Sequence, residues 1–216
     1  MTLFLLALGT VGFYLLEHHN PATMGTLNVA GKFQAAFFQS VTTRTAGFAS
    51  VSQSGLTNGS KLLACMLMIV GGSPAGTAGG IKTTTVAVLL LTAISVLRGN
   101  KDTECYGRKI TFEIIRVGIT ITLVTFVFWL FGVTVMTVIE PQQKVLDLMF
   151  EATSAMATVG LTADLTPVLS DISHVVLMLM MYIGRIGPMT MALIFSGHVD
   201  KKNQFRTLPE AKIMVG

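Results

Sequence analysis

The residues best suited to chemistry lie in one short stretch, Phe37–Phe48, which reads FFQSVTTRTAGF. It combines Arg44 with four hydroxyl side chains and a glycine, and apolar segments lie on both sides. It is too short to cross a bilayer as a helix, which needs about 20 residues. Non-helical backbone is tolerated at membrane depth only where protein or water covers it, and carbonyls beside water can replace a cation's hydration shell. We therefore predict a re-entrant loop, in which a helix over about 33–43 enters the membrane and a strand, 45–48, returns.

The same pattern recurs in Phe150–Leu161, FEATSAMATVGL, which aligns with the first stretch without a gap when 113 is added to each residue number. Residues 145–156, which overlap the start of this stretch, are predicted to repeat the short helix. A repeated unit of span, re-entrant loop and span is the organisation expected of a pore. The predicted ion filter consists of the two strands that follow the short helices, namely Thr45, Ala46, Gly47, Phe48, Thr158, Val159, Gly160 and Leu161.

Residues 62–97 form a second informative stretch, because they carry only one charge, Lys82. A straight helix of that length would measure about 54 Å, whereas the hydrocarbon core is about 30 Å thick. Its middle, residues 71–80, holds five glycines and Pro74, a composition that does not sustain a helix. We predict a broken helix with an intramembrane loop, an arrangement typical of ion sites. A simple kink with close helix packing is the alternative.

Arg185 lies inside the last apolar segment, residues 172–196. Arginine at mid-bilayer costs about 2.5–3.5 kcal/mol on insertion scales, so its side chain must face water or a partner. The repeat offset places it opposite Gly72, where it would donate to free carbonyls and repel a passing cation; an ion pair within the helix bundle is the alternative. The predicted gate comprises Gly71, Gly72, Ser73, Pro74, Gly76, Gly79, Gly80 and Arg185.

An enzymatic alternative rests on Gly76–Thr84, GTAGGIKTT, which approximates the phosphate-binding loop G-x-x-x-x-G-K-[ST]. Ile81 interrupts the required glycine–lysine pair, and no buried strand precedes the motif. The pair His18–His19 is interpreted as a polar interface turn rather than a metal site. We therefore predict that this chain is not an enzyme and holds no cofactor.

Composition and charge placement favour a membrane protein. Hydrophobic residues make up 51% of the chain, charged residues 12%, and the mean hydropathy is +0.68, whereas soluble proteins average about 25% charged residues. Nine of the fifteen lysines and arginines lie in 98–116 and 201–212, which the positive-inside rule assigns to the cytoplasm. Membrane lipid is therefore the expected partner, nucleic acid is not, and the C-terminus is predicted to be cytoplasmic.

These observations predict an all-α membrane protein made of two span–re-entrant pore loop–span repeats with a broken helix. Residues 20–32 are predicted to form an external turn, and the later part of 98–116 to form a short interfacial helix. The predicted parts are the first repeat (1–98), a cytoplasmic connection (99–116), the second repeat (117–197) and a cytoplasmic C-terminal tail (198–216).

The motifs together resemble the Trk/Ktr/HKT superfamily of potassium and sodium transporters, most closely the membrane subunit of the bacterial Ktr type. In that family four repeats surround one pore and each supplies one filter segment, whereas this chain resembles the third and fourth repeats only. The resemblance rests on TTRTAGF (42–48), GGSPAGTAGGIKTTT (71–85), ATSAMATVGLT (152–162), MYIGRIGP (181–188) and KIMVG (212–216).

The resemblance implies potassium uptake across the cell inner (plasma) membrane by a multi-pass protein. Gly47 and Gly160 would be two of four filter glycines, residues 71–80 the gate, and Arg185 the basic residue below the filter. Potassium is the implied substrate and the only metal expected at the filter, with sodium as an optional coupling ion. The implied partners are the remaining two pore repeats, a homodimer partner and a cytoplasmic nucleotide-binding regulatory subunit.

Two alternatives stay open at this point. The filter sequences T-A-G-F and T-V-G-L differ from the T-V-G-Y-G of potassium channels, so a sodium-preferring or sodium-coupled transporter of the same family is one alternative. A non-conducting fragment is the other, because two repeats supply only two of four filter segments.

Overall fold

The computed structural model describes residues 1–73, 78–100, 102–105 and 107–186, and this part of the chain is mainly helical, as predicted. A two-stranded antiparallel hairpin, β1 (Glu104–Cys105) and β2 (Arg108–Lys109), is the exception. A single 3-10 turn, Thr166–Val168, precedes the last described helix. The α-helices of the described residues are α1 (Thr2–Glu17), α2 (Val29–Thr42), α3 (Asn58–Ile69), α4 (Thr83–Leu97), α5 (Phe112–Ile139), α6 (Val145–Met156) and α7 (Asp171–Ile186).

Within the described residues, α5 is the one helix whose 28 residues are long and apolar enough to cross a membrane, while α1, α3 and α4 are shorter apolar helices. The predicted span begins at residue 117, whereas α5 begins at Phe112. Glu113 in its first turn is favoured by the positive end of the helix dipole, which supports the earlier start. The prediction of a separate interfacial helix in the later part of 98–116 is therefore wrong. The hairpin comes first, and residues 112–116 already belong to α5.

The short helix α2 begins at Val29, ahead of the predicted start at about 33. The cause is local, because the Asn28 side chain accepts a hydrogen bond from the Gly31 N–H at 2.7 Å and so caps the helix. Residues 29–32, predicted to belong to an external turn, are therefore helical. In contrast, α6 has the bounds predicted from the sequence.

Packing divides the helices into two groups that meet at α3 and α6. In the first, α1 packs against α2 and α3, with Phe13 and Met68 fully buried between them. In the second, α6 packs against α5 and α7 around Met136 and Leu148. Phe150 of α6 belongs to the first cluster, so the interface between α3 and α6 makes one body of the two groups.

A largely buried ion pair joins α3 to α6 at that interface. The Lys61 ammonium on α3 lies 2.6 Å from the Asp147 carboxylate on α6, and their side chains are 7% and 20% exposed. Removing one partner of a buried pair leaves an uncompensated charge, which costs about 3–5 kcal/mol.

We expect Lys61→Met to lower the free energy of unfolding by about 3 kcal/mol, measured by chemical denaturation in detergent. The pair Lys109–Asp102 provides a matched control, because its length is also 2.6 Å but its side chains are 64% and 47% exposed. Lys109→Met should cost less than about 1 kcal/mol. Equal costs at the two sites would contradict a stabilising role for the buried pair.

Two carboxylates hold the beginnings of the returning helices in the same way. Glu17, fully buried at the end of α1, accepts hydrogen bonds from the Thr57 N–H at 2.9 Å and from its hydroxyl at 2.8 Å. Glu140, directly after α5, accepts from the Ser170 N–H and the Ser173 hydroxyl, both at 2.8 Å. Thr57 and Ser170 precede α3 and α7, and the repeat offset relates one to the other. The structure therefore repeats a carboxylate clasp that the sequence comparison did not find.

The hydroxyl and backbone N–H of Ser170, together with the Ser173 hydroxyl, lower the pKa of Glu140 below its ordinary value of 4.5. A carboxyl whose folded-state pKa is depressed contributes stability above the unfolded pKa, and this is lost as pH falls through the folded pKa. We expect the parent protein to lose stability below about pH 4.5 more steeply than Glu140→Gln. Melting temperature measured from about pH 7 to about pH 3 tests this, and identical acid slopes would contradict it.

Candidate ion filter and glycine-rich loop

The prediction that 45–48 and 158–161 are strands is wrong, because 45, 46 and 158 lie in turns and the remaining residues have no regular secondary structure. The two segments, still called the filter strands below, share an unusual backbone conformation. Thr45 and Gly47 have φ angles of 67° and 76°, and Thr158 and Gly160 have φ angles of 53° and 92°. The repeat offset relates Thr45 to Thr158 and Gly47 to Gly160. A β-branched residue is rarely left-handed, so the surroundings must hold both threonines in this state. Residues related by the sequence offset therefore share left-handed φ angles at these two pairs of positions.

The two glycines of these strands face each other. A Cβ atom added to Gly47 would overlap the carbonyl oxygen of Val159, and one added to Gly160 would lie 3.8 Å from the Gly47 Cα. Glycine permits both the left-handed conformation and the close backbone approach. The strands consequently meet through their main chains rather than through side chains.

Their N–H groups and carbonyls are used differently. The N–H groups of Ala46 and Gly47 donate to the Thr42 carbonyl at the end of α2, and the Val159 N–H donates to the Ser154 carbonyl of α6. Within the described chain, no backbone N–H donates to the carbonyls of 45–47 or 158–160. Carbonyls that receive no backbone N–H, next to anchored N–H groups, are the arrangement that can coordinate a dehydrated cation.

The two filter strands differ in how much of their side chains is exposed. Val159 and Leu161 are 4% and 3% exposed, whereas the Phe48 side chain is 71% exposed. The Phe48 carbonyl accepts a hydrogen bond of 2.5 Å from the Thr42 hydroxyl, so it is directed back toward α2. The side chains of Val159 and Leu161 are thus covered by this chain while Gly160 between them is exposed, and the first filter strand presents its final side chain outward.

Polar side chains of the short helices brace the segments that follow each strand, and sequence reasoning missed them. Gln39 and Gln53, both buried, exchange hydrogen bonds of 2.6 and 3.1 Å. Glu151, 4% exposed, accepts from the Thr162 and Thr166 hydroxyls and the Ala163 N–H. The only sequence signal was a polar residue isolated on an apolar helix face.

The glycine-rich loop, defined here as residues 70–82, separates α3 from α4. Its two arms pair through the Gly71 N–H, which donates to the Ile81 carbonyl, and the Ile81 N–H, which donates to the Ile69 carbonyl, both at 2.9 Å. Gly80 has a φ angle of 72°. Ser73 is exposed, while Pro74 and Gly76 of the predicted gate lie outside the described residues.

This loop contacts the second filter strand and Arg44, the residue directly before the first filter strand. The Gly79 N–H donates to the Thr158 hydroxyl at 3.1 Å, and a Cβ at Gly79 would lie only 2.8 Å from the Ala157 carbonyl oxygen. On the other side, Arg44 donates to the Gly71 carbonyl at 3.5 Å and to the Thr2 carbonyl at 3.0 Å. The loop is therefore close enough to respond to the filter strands.

Arg185 lies next to the second filter strand. It lines a cavity of about 630 Å³ together with Thr158, Gly160 and Glu151. A Cβ at the neighbouring Gly184 would overlap the Met156 carbonyl oxygen, so α7 packs directly on the end of α6. Arg185 is thus placed in the last turn of α7, beside the second filter strand.

Comparison with known proteins agrees with this architecture. The model of the TrkH family, described as cation transport protein, matches residues 1–206. Ktr system potassium uptake protein B of Bacillus subtilis (strain 168) is 36% identical over 215 residues, covering 100% of this chain and 47% of that protein. Potassium/sodium uptake protein NtpJ of Enterococcus hirae is 33% identical over 215 residues, covering 98% and 48%.

The fold also matches a solved structure. The crystal structure of the potassium transporter TrkH from Vibrio parahaemolyticus aligns with a TM-score of 0.72 and 16% identity, over 94% of this chain and 44% of that one. The chain therefore spans about half the length of the relatives that it matches.

These matches exclude the enzymatic alternative, because the family consists of membrane transport proteins and the interrupted phosphate-loop motif lies within the matched region. Since the family match covers residues 1–206 of 216, this chain belongs to the TrkH family of cation transport proteins.

Proposed function

We propose that this chain forms two of the four segments of a pore for potassium uptake across the cell membrane. The observation that carries the proposal is the pair of strands with left-handed Thr45 and Gly47, and Thr158 and Gly160, at one constant offset. Their carbonyls receive no backbone N–H within the described residues, as a cation-coordinating filter requires. The names of the relatives, a potassium uptake protein and a potassium/sodium uptake protein, support the substrate class.

The glycine-rich loop is proposed as the gate of this pore, within a helix broken between α3 and α4. Two backbone hydrogen bonds join Gly71 and Ile81 to the opposite arm, and one hydrogen bond joins Gly79 to Thr158. The described arms are held by a few backbone hydrogen bonds instead of a continuous helix, so we expect the segment to open at low free-energy cost. Its contact with the filter gives it the position of a gate.

Arg185 is proposed to slow cation exit by repulsion. A guanidinium remains protonated in proteins, and at about 4 Å from a cation with an effective dielectric of about 20 the repulsion is about 4 kcal/mol. Its place beside Thr158 and Gly160 in one cavity supports this role.

We expect Arg185→Gln to retain hydrogen-bonding capacity, remove the repulsion and raise the rate of uptake per molecule severalfold. Flux normalised to surface protein is the measurement, with Arg185→Lys as the charge-preserving control. Lower surface expression without higher flux per molecule would instead identify an ion pair within the helix bundle.

The missing half of the pore is proposed to dock on surfaces equivalent to the α3–α6 interface. The repeat offset relates Lys61 to His174 on α7, and Asp147 to Gln34 on α2. Gln34 is exposed and His174 is intermediate in exposure. Two further repeats placed against these positions would close a ring of four.

We also propose further partners and an orientation in the membrane. The name of the Bacillus relative refers to a Ktr system, which supports additional subunits. We propose a second copy of the protein and a cytoplasmic nucleotide-binding regulatory subunit as those components. The tail, 198–216, lies outside the described residues, and its cytoplasmic placement is proposed from its basic charge.

A sodium-preferring or sodium-coupled transporter is the second candidate. Two observations favour it: one relative is named a potassium/sodium uptake protein, and the filter sequences lack the tyrosine of T-V-G-Y-G. The same pore geometry serves both candidates, so ion competition distinguishes them.

Uptake in cells deficient in potassium uptake tests the proposal. The chain is expressed alone and joined to the N-terminal half of the Bacillus relative, and rubidium-tracer flux is measured with potassium or sodium as competitor. We expect flux only in the joined form, with stronger competition by potassium. Well-inserted joined protein without flux would favour the non-conducting fragment, and stronger competition by sodium would favour the second candidate.

A further inference from the structure

A small apolar cavity lies directly behind the glycine-rich loop. Its volume is about 120 Å³, and its exposed lining is entirely apolar. Ile69, Gly80 and Ile81 form the wall on the loop side. The opposite walls come from α5, the membrane-length helix, and from the last turn of α6. The cavity therefore touches the base of the loop on one side and the spanning helix on the other.

The polar side chains around this cavity already have hydrogen-bond partners. The hydroxyls of Thr122 and Thr125 donate to the Gly118 and Ile121 carbonyls of their own helix, at 2.9 and 2.8 Å. Trp129 Nε1 donates to the Thr153 hydroxyl at 2.8 Å, and that hydroxyl donates to the Met149 carbonyl at 2.6 Å.

Because these polar groups already have partners, they bear on whether the cavity holds water or an apolar ligand. A buried water needs two to four polar partners, whereas an apolar cavity of about 150 Å³ stays dry and binds benzene or xenon. With its polar groups already paired, this cavity favours hydrocarbon over water. Its size is suited to a short hydrocarbon segment rather than to a whole lipid.

We propose that this cavity binds the terminal segment of a lipid acyl chain. Phe126, which lines the cavity, is 53% exposed on α5, so this residue contributes both to the cavity wall and to the surface that the spanning helix exposes in this chain. Acyl chains are the hydrocarbon that this surface meets in a membrane, and movement of the Phe126 ring would admit one. Association here buries apolar surface on both partners.

An acyl chain in this position supports the base of the loop. Ile81 is 4% exposed and joins the two loop arms through its N–H and carbonyl. Hydrocarbon against Ile69 and Ile81 adds contacts that an empty cavity lacks, and so stabilises the paired arms. This second step rests on the proposed gating function, whereas lipid binding does not.

The experiment uses the joined full-length protein in vesicles of phosphatidylethanolamine and phosphatidylglycerol. The vesicles contain a phospholipid with a diazirine at the acyl terminus, and peptide mapping after illumination locates the label. We expect label near Phe126 and Trp129, and a severalfold decrease in Thr125→Leu, whose larger side chain fills the cavity. Thr122→Leu is the second filling variant if Thr125→Leu does not fold.

Thr134→Leu is the matched control, because Thr134 is exposed on the same helix and its hydroxyl makes the same bond to the preceding turn, at 2.8 Å to the Leu130 carbonyl. Labelling near Phe126 should be unchanged in this variant. Equal labelling in the filled and control variants would overturn the site. Labelling by a free diazirine alkane but not by the phospholipid would overturn the lipid assignment.

Uptake separates binding from gating. Displaced label with altered basal uptake in Thr125→Leu supports both steps, whereas displaced label with unchanged uptake overturns the link to the loop. Absence of uptake in the parent protein, with label in the cavity, would contradict the pore proposal and leave the lipid site supported.

Discussion

Replacing Gly47 with serine should reduce potassium uptake by more than tenfold. Two costs combine at this position: the φ angle of 76° disfavours any side chain, and a Cβ would overlap the Val159 carbonyl oxygen of the facing strand. Strained backbone of this kind costs about 1–3 kcal/mol, and each additional barrier of about 1.36 kcal/mol is a factor of ten in rate. The serine must therefore displace the facing carbonyl, which is a proposed ion ligand.

Gly160→Ser should have a different and milder effect. Its φ angle of 92° also disfavours a side chain, but a Cβ there would meet only the Gly47 Cα, at an ordinary distance of 3.8 Å. Backbone strain without a clash should weaken the preference for potassium over sodium before it abolishes uptake. The two glycines, equivalent in sequence, are thus expected to give unequal phenotypes.

Gly99→Ser is the matched control for conformational strain, because Gly99 has a φ angle of 71° and a Cβ there would have no atom of the described residues within 4 Å. Uptake normalised to surface protein should stay close to that of the parent. Unchanged selectivity in both Gly47→Ser and Gly160→Ser would remove these glycines from the filter.

Deleting residues 73–79 should raise basal uptake severalfold while the protein still inserts. The deletion joins Gly72 to Gly80 and removes Gly79, whose N–H donates to the Thr158 hydroxyl. The remaining arms keep their pairing partners Gly71 and Ile81, so α3 and α4 can stay in place. The loop contact with the filter is what the variant lacks.

A point substitution tests the same contact. Thr158→Val keeps the β-branched shape and removes the hydroxyl that accepts the hydrogen bond from the Gly79 N–H. Thr158→Ser keeps the hydroxyl and is its control. Uptake should rise in the valine variant by less than in the deletion, and stay near the parent level in the serine variant. For the deletion of residues 73–79, reduced or unaltered flux in well-inserted protein would count against a gate.

The sequence determined the helical class and the family, and its constant offset related Thr45 to Thr158 and Gly47 to Gly160. That these four residues are left-handed rather than extended was not predicted. The bounds of α6 were also predictable, because helix preference, glycine freedom and apolar composition act within a few residues of the chain. Where a local cap was overlooked, as with Asn28, the predicted boundary was wrong.

Only the tertiary structure decided which residues hold the two repeats in place. The constant offset did not reveal the two carboxylate clasps, because it relates Thr57 to Ser170 but not Glu17 to Glu140. Glu17 is farther from Thr57 along the chain than Glu140 is from Ser170. The Lys61–Asp147 pair and the clash that makes Gly47 unequal to Gly160 join residues far apart in the chain. Such contacts depend on how helices pack and how long their connections are, and local sequence preferences specify neither.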